Sequence, residues 1–115
     1  MGQTQNIGNF GETIACRFLQ KKGYTIIQRN FRCRTGEIDI IAFKDGCTVF
    51  VEVKTRKNAN YGRAAEFVDY RKQIKVKKAA MYFLKREDAD VRFDVIEVYH
   101  DGGKVVEINH IEDAF

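Results

Sequence analysis

The 115-residue sequence has few cysteines and no long hydrophobic run, and each shortage argues against a class of protein. Cys16, Cys33 and Cys47 are odd in number, widely spaced and without a Cys-x-x-Cys pair, so neither a disulfide framework nor a zinc site is indicated. No apolar run approaches the roughly 18 residues of a membrane span. The polar start, Met1 to Asn6, lacks the apolar stretch of a signal peptide. We therefore expect a cytoplasmic protein.

The sequence also lacks the short motifs of several enzyme classes. A Gly-rich phosphate loop, a His-Glu-x-x-His motif and an internal repeat are all missing, which removes P-loop enzymes, zincins and solenoids from consideration. The length fits one domain, residues 1–115, with a single two- or three-layer core.

The net charge of +4 is modest, but its distribution is uneven. Residues 54–78 contain nine Lys or Arg against two acids, whereas residues 87–115 contain nine acids against two basic residues. This polarity fits phosphate binding, although a solvated helix face would also be basic.

The hydrophobic pattern predicts the element order α-β-β-β-α-β-β, and hence an α/β domain with a mixed sheet flanked by helices. The predicted helices cover residues 8–22, where Gly23 ends the helix, and about 69–85, where Asp69 is the N-cap. The predicted strands cover residues 24–32, 36–42, 49–56, 91–99 and 104–108. The second and third strands form a hairpin around Asp45-Gly46.

This hairpin carries acidic side chains where a structural strand would prefer Thr or Val. Because side chains alternate along a strand, Asp39 is expected on one face and both Ile38 and Ile40 on the other. Pairing around the turn would then bring the carboxylates of Asp39 and Glu52 together, with the ammonium group of Lys54 one step along. Oxygen ligands of this kind suit Mg²⁺ or Mn²⁺, and the lysine supplies a cation where negative charge develops.

Glu12 is a candidate third acid. It falls beside the buried stripe of the first helix and can therefore lie at the edge of the core, over the face that carries the other two carboxylates. The alternative is a first-turn glutamate that interacts favourably with the helix dipole. The sequence leaves both interpretations open.

The spacing from Asp39 to Glu52-Val53-Lys54 resembles the PD-(D/E)xK nuclease superfamily, with Ile38 at the position of the motif's proline. The wider sequence resembles the small bacterial YraN-like family, which is similar to that superfamily. The resemblance implies a restriction-endonuclease-like fold and Mg²⁺-dependent hydrolysis of phosphodiesters in DNA, including branched DNA. It also implies metal ligation by Asp39, Glu52 and Glu12 and a catalytic role for Lys54. The motifs that carry the resemblance are Gly8-Asn9-Phe10-Gly11-Glu12, Arg29-Asn30-Phe31-Arg32, Gly36-Glu37-Ile38-Asp39, Val51-Glu52-Val53-Lys54-Thr55-Arg56, Arg92-Phe93-Asp94-Val95 and the segment from His110 to Phe115.

Basic and aromatic residues around this motif are candidate contacts to nucleic acid. Three of them recur at spacings of four and three on the second helix and form a cationic ridge, although ordinary lysine-rich solvation is an equal alternative. Others lie in and after the third strand, where a predicted loop could fold over a nucleic-acid backbone. The candidates are Arg56, Tyr61, Arg63, Arg71, Lys75 and Lys78. A further cluster, Arg29, Arg32 and Arg34, either lines a DNA groove or is solvated surface.

Two other readings remain open. The chain could be a non-catalytic nucleic-acid-binding module that keeps the nuclease fold, or a structural protein in which Glu52 and Lys54 form surface pairs. Symmetric cutting of a four-way junction would require a homodimer, because it needs two active sites. Asp94 and Glu97 are expected to be surface charges, and His100 and His110 are expected to have structural or surface roles. None of these four residues belongs to the proposed site.

Overall fold

The computed structural model describes residues 3–57, 69–85 and 90–115, and the side chains of the first helix from residue 9 onward. The predicted element order is confirmed. The first helix begins earlier than predicted, because a single glycine such as Gly8 weakens a helix by only about 1 kcal/mol and does not end it. No helix in the described ranges is both long and apolar enough to cross a membrane. The elements are α1 (Gln3–Lys21), β1 (Thr25–Cys33), β2 (Gly36–Lys44), β3 (Cys47–Lys57), α2 (Tyr70–Leu84), β4 (Val91–Asp101) and β5 (Lys104–Ile111).

The five strands form one mixed sheet in the order β1-β2-β3-β4-β5. Every neighbouring pair is antiparallel except β3 and β4, which are parallel. Parallel neighbours need a crossover connection, and α2 lies within it. The β2–β3 hairpin turns at Asp45 (φ 50°) and Gly46 (φ 80°), as expected for an Asp-Gly pair in a two-residue turn.

The sheet separates two apolar cores, so the domain has three layers. On one face, α1 packs Ala15, Cys16 and Leu19 against strand residues that include Val49 and Val51. On the other face, α2 packs Val76, Ala79 and Ala80 against Ile38, Ile41 and Phe50. Ala15 and Leu19 of α1 and Val76, Ala79 and Ala80 of α2 are almost completely buried by this packing.

The alternation of side chains is interrupted in the middle of β2. Ile38 packs in the α2 core, whereas Ile40, two residues later, packs in the α1 core, so the prediction that both share a face is wrong. The side chains of the paired strand β1 change face at the same point in the sheet. Phe31 pairs with Ile38, and Arg29 pairs with Ile40. Asn30 lies between them with a left-handed φ of 53°, which supplies the local irregularity.

A second correction concerns Asp94, which is fully buried rather than on the surface. Its carboxylate accepts hydrogen bonds from the Arg92 guanidinium at 2.7 and 2.8 Å and from the backbone N–H of Asp113 at 3.0 Å. The His110 Nε2 atom lies 2.7 Å away, so His110 has the structural role that was one of its two predicted alternatives. Sequence spacing could not show this network, because its members come from two strands and the C-terminal segment.

Asp94→Asn is expected to lower the free energy of unfolding by about 2 kcal/mol, because it removes a buried negative charge that accepts several hydrogen bonds. Burial alone would raise the pKa of Asp94, but the hydrogen bonds from Arg92, His110 and Asp113 lower it to about 2. The ionised carboxylate therefore stabilises the fold above pH 4, and this contribution is lost as the pH falls from about 4 towards 2. Urea unfolding at pH 7 and at pH 3 tests both statements. Asp101→Asn, in an exposed strand end, is the matched control, and an equal effect of the two substitutions would contradict the prediction.

Candidate functional site

The candidate site lies where β2 and β3 separate. Their pairing runs from the hairpin turn as far as Ile40 and Val51 and stops there. Immediately beyond it, the Asp39 side chain bridges the two strands and accepts a hydrogen bond of 2.8 Å from the backbone N–H of Val53. The change of face in β2 thus leaves a carboxylate in a gap of the sheet. We call this gap the β2–β3 seam, defined by Asp39, Glu52 and Val53.

Asp39 experiences charges from both layers of the domain. Burial raises its pKa above the ordinary value, and the negative charge of Glu12 on α1 raises it further. The hydrogen bond from Val53 and the positive charge of Lys72 on α2 act in the opposite direction. A group placed at the seam can therefore interact with α1 and α2 at once.

Glu52 is the second carboxylate of the seam, and it is only 2% exposed. Burial, followed by the charge of Asp39, raises the pKa of Glu52 to about 7. Its Oε1 atom lies 3.2 Å from the Nζ atom of Lys72. A buried carboxylate whose pKa is raised both by burial and by a neighbouring carboxylate is a feature of functional sites, although structural networks also show it.

Glu12 approaches the sheet because α1 comes unusually close to β3 at Gly11. A Cβ atom at Gly11 would overlap the side chain of Thr55, so only glycine allows this approach. Glu12 follows directly, and its side chain is 13% exposed and forms an ion pair of 3.5 Å with Arg29. The structure thus places the predicted third acid at the sheet surface and within electrostatic range of Asp39.

Two carboxylate oxygens bear on the fit of the donor set to a divalent cation. Glu12 Oε1 and Glu52 Oε2 are buried and have no hydrogen-bond partner among the described residues, although Glu12 Oε1 is the atom that forms the 3.5 Å ion pair with Arg29. Oxygen atoms left in this state are suited to accept a hard cation. Within the described ranges, however, no three His, Cys, Asp or Glu side chains stand together as a ready metal-binding group. The acids instead contact Arg29 and Lys72, so a metal ion would have to replace these cations.

Lys72 is the functional candidate that sequence reasoning missed. The predicted cation, Lys54, is half-buried on β3. Its charge acts on Asp69, the N-cap of α2. The pKa of Asp69 is lowered chiefly by the hydrogen bond from the backbone N–H of Lys72, and the positive charge of Lys54 lowers it further. The ammonium group that contacts Glu52 belongs to Lys72. A signal was present, since Lys72 lies four residues before Val76 and therefore on the stripe that faces the sheet. A lysine at the end of an apolar stripe can lay its stem along the core and place its ammonium group at the edge of the stripe, where Glu52 lies.

The predicted nucleic-acid contacts are divided between several places. Arg71, Lys75 and Lys78 are exposed on α2, as the cationic ridge requires. Arg56 forms an ion pair of 3.4 Å with Glu97, whose predicted surface position is wrong because it is 5% exposed. Asn109 donates a hydrogen bond to Glu97, at 2.9 Å. Two further candidates, Tyr61 and Arg63, lie outside the described residues.

The raised pKa of Glu52 predicts a pH dependence of stability. Because the pKa in the folded state lies above the unfolded value, the contribution of Glu52 is most favourable below pH 4.5 and is lost as the pH rises through about 7. We expect Glu52→Gln to be more stable than the wild type at pH 8, by on the order of 1–3 kcal/mol, and to lack this loss. Urea unfolding in EDTA at pH 6 and pH 8 measures it. Glu112→Gln, which changes a half-exposed carboxylate, is the control, and a wild type with no loss of stability between these pH values would contradict the prediction.

The fold and site together define a three-layer α/β domain with one buried and one part-buried carboxylate in a seam of its sheet. A model of the uncharacterised protein family UPF0102 matches residues 11–98, and the chain belongs to this family. It is similar to a UPF0102 protein of Caldicellulosiruptor bescii, with 50% identity over 116 residues that cover 96% of this chain and 98% of the relative. A UPF0102 protein of Geotalea daltonii is 50% identical over 115 residues, covering 96% and 90% of the two chains. One of Clostridium perfringens is 44% identical over 115 residues, covering 96% and 94%. The predicted family is confirmed, and its PD-(D/E)xK core stays a prediction.

Proposed function

We propose that this protein is a metal-dependent nuclease of the PD-(D/E)xK type that hydrolyses phosphodiester bonds in DNA, including branched DNA. The observation that carries the proposal is the β2–β3 seam, where Glu52 is 2% exposed, Asp39 is part-buried, and the negative charge of Asp39 adds to burial in raising the pKa of Glu52. Unlike Asp94, whose carboxylate is met by several hydrogen-bond donors, Glu52 keeps one buried oxygen without a hydrogen-bond partner among the described residues, a costly arrangement that a purely structural role does not explain. The spacing of the Asp39 and Glu52-Val53-Lys54 motif and the restriction-endonuclease-like order of elements support the same function.

Asp39, Glu52 and Glu12 would hold Mg²⁺ or Mn²⁺. The bound metal would supply Lewis-acid activation of the phosphodiester and of the attacking water. The protein residues have separate tasks. Val53 N–H fixes the orientation of Asp39 through its hydrogen bond. Lys72 neutralises Glu52 before a metal ion arrives, and Lys54 and Lys72 are the lysines available to stabilise negative charge on the phosphate.

One observation favours a second candidate function, a nucleic-acid-binding module without catalysis. Arg29 and Lys72 already contact Glu12 and Glu52, and the described residues contain no ready group of three metal ligands. A protein that used these ion pairs only for its fold would retain the cationic surface and would not need a metal. The two candidates differ in whether DNA is cut.

The test is incubation of the protein with labelled linear, flap and four-way DNA in Mg²⁺, in Mn²⁺ and in EDTA. The nuclease proposal expects cleavage that requires the metal and is absent in EDTA. Binding without cleavage of any DNA in either metal would support the module instead. The absence of both binding and cleavage would leave only a structural role. If four-way DNA is cut symmetrically, the solution mass should be that of a dimer, because two sites are needed.

A further inference from the structure

Two adjoining depressions lie beside the candidate site, between the β1–β2 turn and α2. The first, of about 390 Å³, is lined by residues 32–37 of the turn and by Lys75. The second, of about 360 Å³, is lined by the start of α2 and shares Gly36, Glu37 and Lys75 with the first. The two depressions share these three lining residues. We call the surface that they form together the turn–helix groove, defined by residues 32–37, 69, 71, 72, 75 and 76.

The floor of the turn–helix groove is formed by a close contact between backbone segments. A Cβ atom at Gly36 would lie 3.0 Å from the carbonyl oxygen of Lys75 and 3.3 Å from its Cβ atom. The turn and the helix therefore approach more closely than any larger residue would allow. A groove held by such a contact keeps its width, since separating its walls would break the packing of the turn on α2.

The walls of the turn–helix groove carry five cationic and two acidic side chains. The two acids have partners nearby, since Glu37 lies 3.4 Å from Arg32 and Asp69 accepts a hydrogen bond of 3.0 Å from the N–H of Lys72. The excess positive charge is carried by exposed side chains on both walls. These are Arg34 on the turn, and Arg71 and Lys75 on the helix.

The turn–helix groove meets the candidate site at Lys72. Lys72 lines the groove, and its ammonium group contacts Glu52 in the seam. Lys75 is three residues further along α2, a rise of about 4.5 Å. A phosphate next to the seam and one beside Lys75 would thus be close neighbours along α2.

The charge of the groove favours a single strand. Its two depressions, of about 390 and 360 Å³, carry cationic side chains of the turn and of α2. A positively charged groove that tracks one backbone is the usual electrostatic feature of single-strand binding.

We propose that the turn–helix groove binds the phosphates of an unpaired DNA strand on one side of the bond that is cut, so that the substrate is a flap or an overhang. This inference rests on the proposed nuclease function, because the strand would lead from the groove into the β2–β3 seam. It assigns Arg34, a residue whose role the sequence left open, to substrate binding. It also gives Arg71 and Lys75 one defined partner, the phosphates of that strand.

Cys33 provides a direct probe, because it is partly exposed and lines the groove. The hydroxyl of Thr35 lies 3.2 Å from its sulfur, and this hydrogen bond lowers the pKa of the Cys33 thiol. Alkylation by iodoacetamide is followed at each cysteine by mass spectrometry, in EDTA so that no DNA is cut. With single-stranded DNA at ten times its Kd, we expect alkylation of Cys33 to slow about tenfold, since only unbound protein reacts. Alkylation of Cys47, which is outside the groove, should not change.

Blunt duplex DNA of the same length should protect Cys33 much less than the single strand. Equal or better protection by the duplex would overturn the proposal, as would single-strand binding that leaves Cys33 fully reactive, or no DNA binding at all. Protection of Cys33 without cleavage in Mg²⁺ would retain the groove and reject the nuclease. Cleavage without protection of Cys33 would retain the nuclease and reject the groove, so the two failures are distinguishable.

A matched pair of variants provides a second measurement. Arg34→Gln combined with Lys75→Gln removes one charge from each wall and should lower the slope of log affinity against log salt by about 1–2. Arg17→Gln combined with Lys104→Gln removes two exposed charges outside the groove and should leave the slope unchanged. Equal slopes for the two double variants would overturn the proposal. The Cys33 protection experiment uses the wild type and therefore does not depend on the folding of either variant.

Discussion

Asp39→Asn is expected to reduce metal-dependent DNA cleavage by about 100-fold or more while the protein stays folded. Asparagine retains an oxygen that can accept the hydrogen bond from Val53 N–H, but it lacks the charge needed to hold a divalent cation. Because burial raises the pKa of Asp39, its ionised form is unfavourable in the folded state, and the neutral variant should unfold at the same or a higher urea concentration. Cleavage rates in Mg²⁺ and urea unfolding curves in EDTA together measure this prediction.

Asp101→Asn is the matched control, since it makes the same change of side chain at an exposed strand end outside the seam and the turn–helix groove. It removes only a surface charge, so cleavage should stay within about threefold of the wild type. If Asp39→Asn cut DNA at the wild-type rate, the seam would not be the site of the reaction. If both variants lost cleavage equally, the loss would not be specific to the seam.

Lys72→Met is expected to change metal affinity and cleavage in opposite directions. Removing the ammonium group 3.2 Å from Glu52 Oε1 takes away the cation that a metal ion must replace. We therefore expect Mn²⁺ to bind about tenfold more tightly, as measured by calorimetry without DNA. Cleavage at saturating metal and DNA should fall about 100-fold, because the phosphate then loses a positive charge in the transition state.

Lys78→Met, on the exposed side of the same helix, is the control for this pair of measurements. It removes one positive charge from α2 but leaves the ion pair between Lys72 and Glu52 intact, so Mn²⁺ affinity should not change. Tighter metal binding with undiminished cleavage by Lys72→Met would show that Lys72 only neutralises the empty site. Weaker metal binding would show that Lys72 holds Glu52 in the orientation that a metal needs, and would contradict the competition between the two cations.

The sequence predicted the elements of this fold because their signals are local. The periodicity of α1 and α2, the Asp69 N-cap and the Asp45-Gly46 turn each depend on residues that are near one another in the chain. The cap is observed as predicted, with the Asp69 carboxylate accepting from the N–H of Lys72. The start of α1 was the least accurate boundary, because the prediction began the helix at Gly8, whereas α1 continues through that glycine and begins at Gln3.

The parts of the site that could not be predicted depend on contacts between distant segments. Strict alternation of side chains placed Ile38 and Ile40 on one face of β2. In the structure the alternation is interrupted between them, opposite the left-handed Asn30 of β1, and this interruption explains why Asp39 reaches β3. Asp94 and Glu97 were assigned to the surface because their partners, His110 and Asn109, lie on another strand. Lys72 was missed because the charge pattern of α2 was considered without its packing stripe. Long-range pairing therefore limits the prediction of the site more than that of the fold.

The parallel arrangement of β3 and β4 affects the order in which the chain can fold. Strands β1 to β3 follow one another through short turns, so they can form a meander early with little loss of chain entropy. Strand β4 can pair with β3 only after the long crossover that contains α2 has closed, which is a slow kind of step. Asp39 and Glu52 both belong to the early meander, whereas Lys72 and the Asp94 network arrive with the late crossover. A nascent chain would therefore expose two adjacent carboxylates before their balancing cation is in place, and divalent ions in the medium should accelerate its folding.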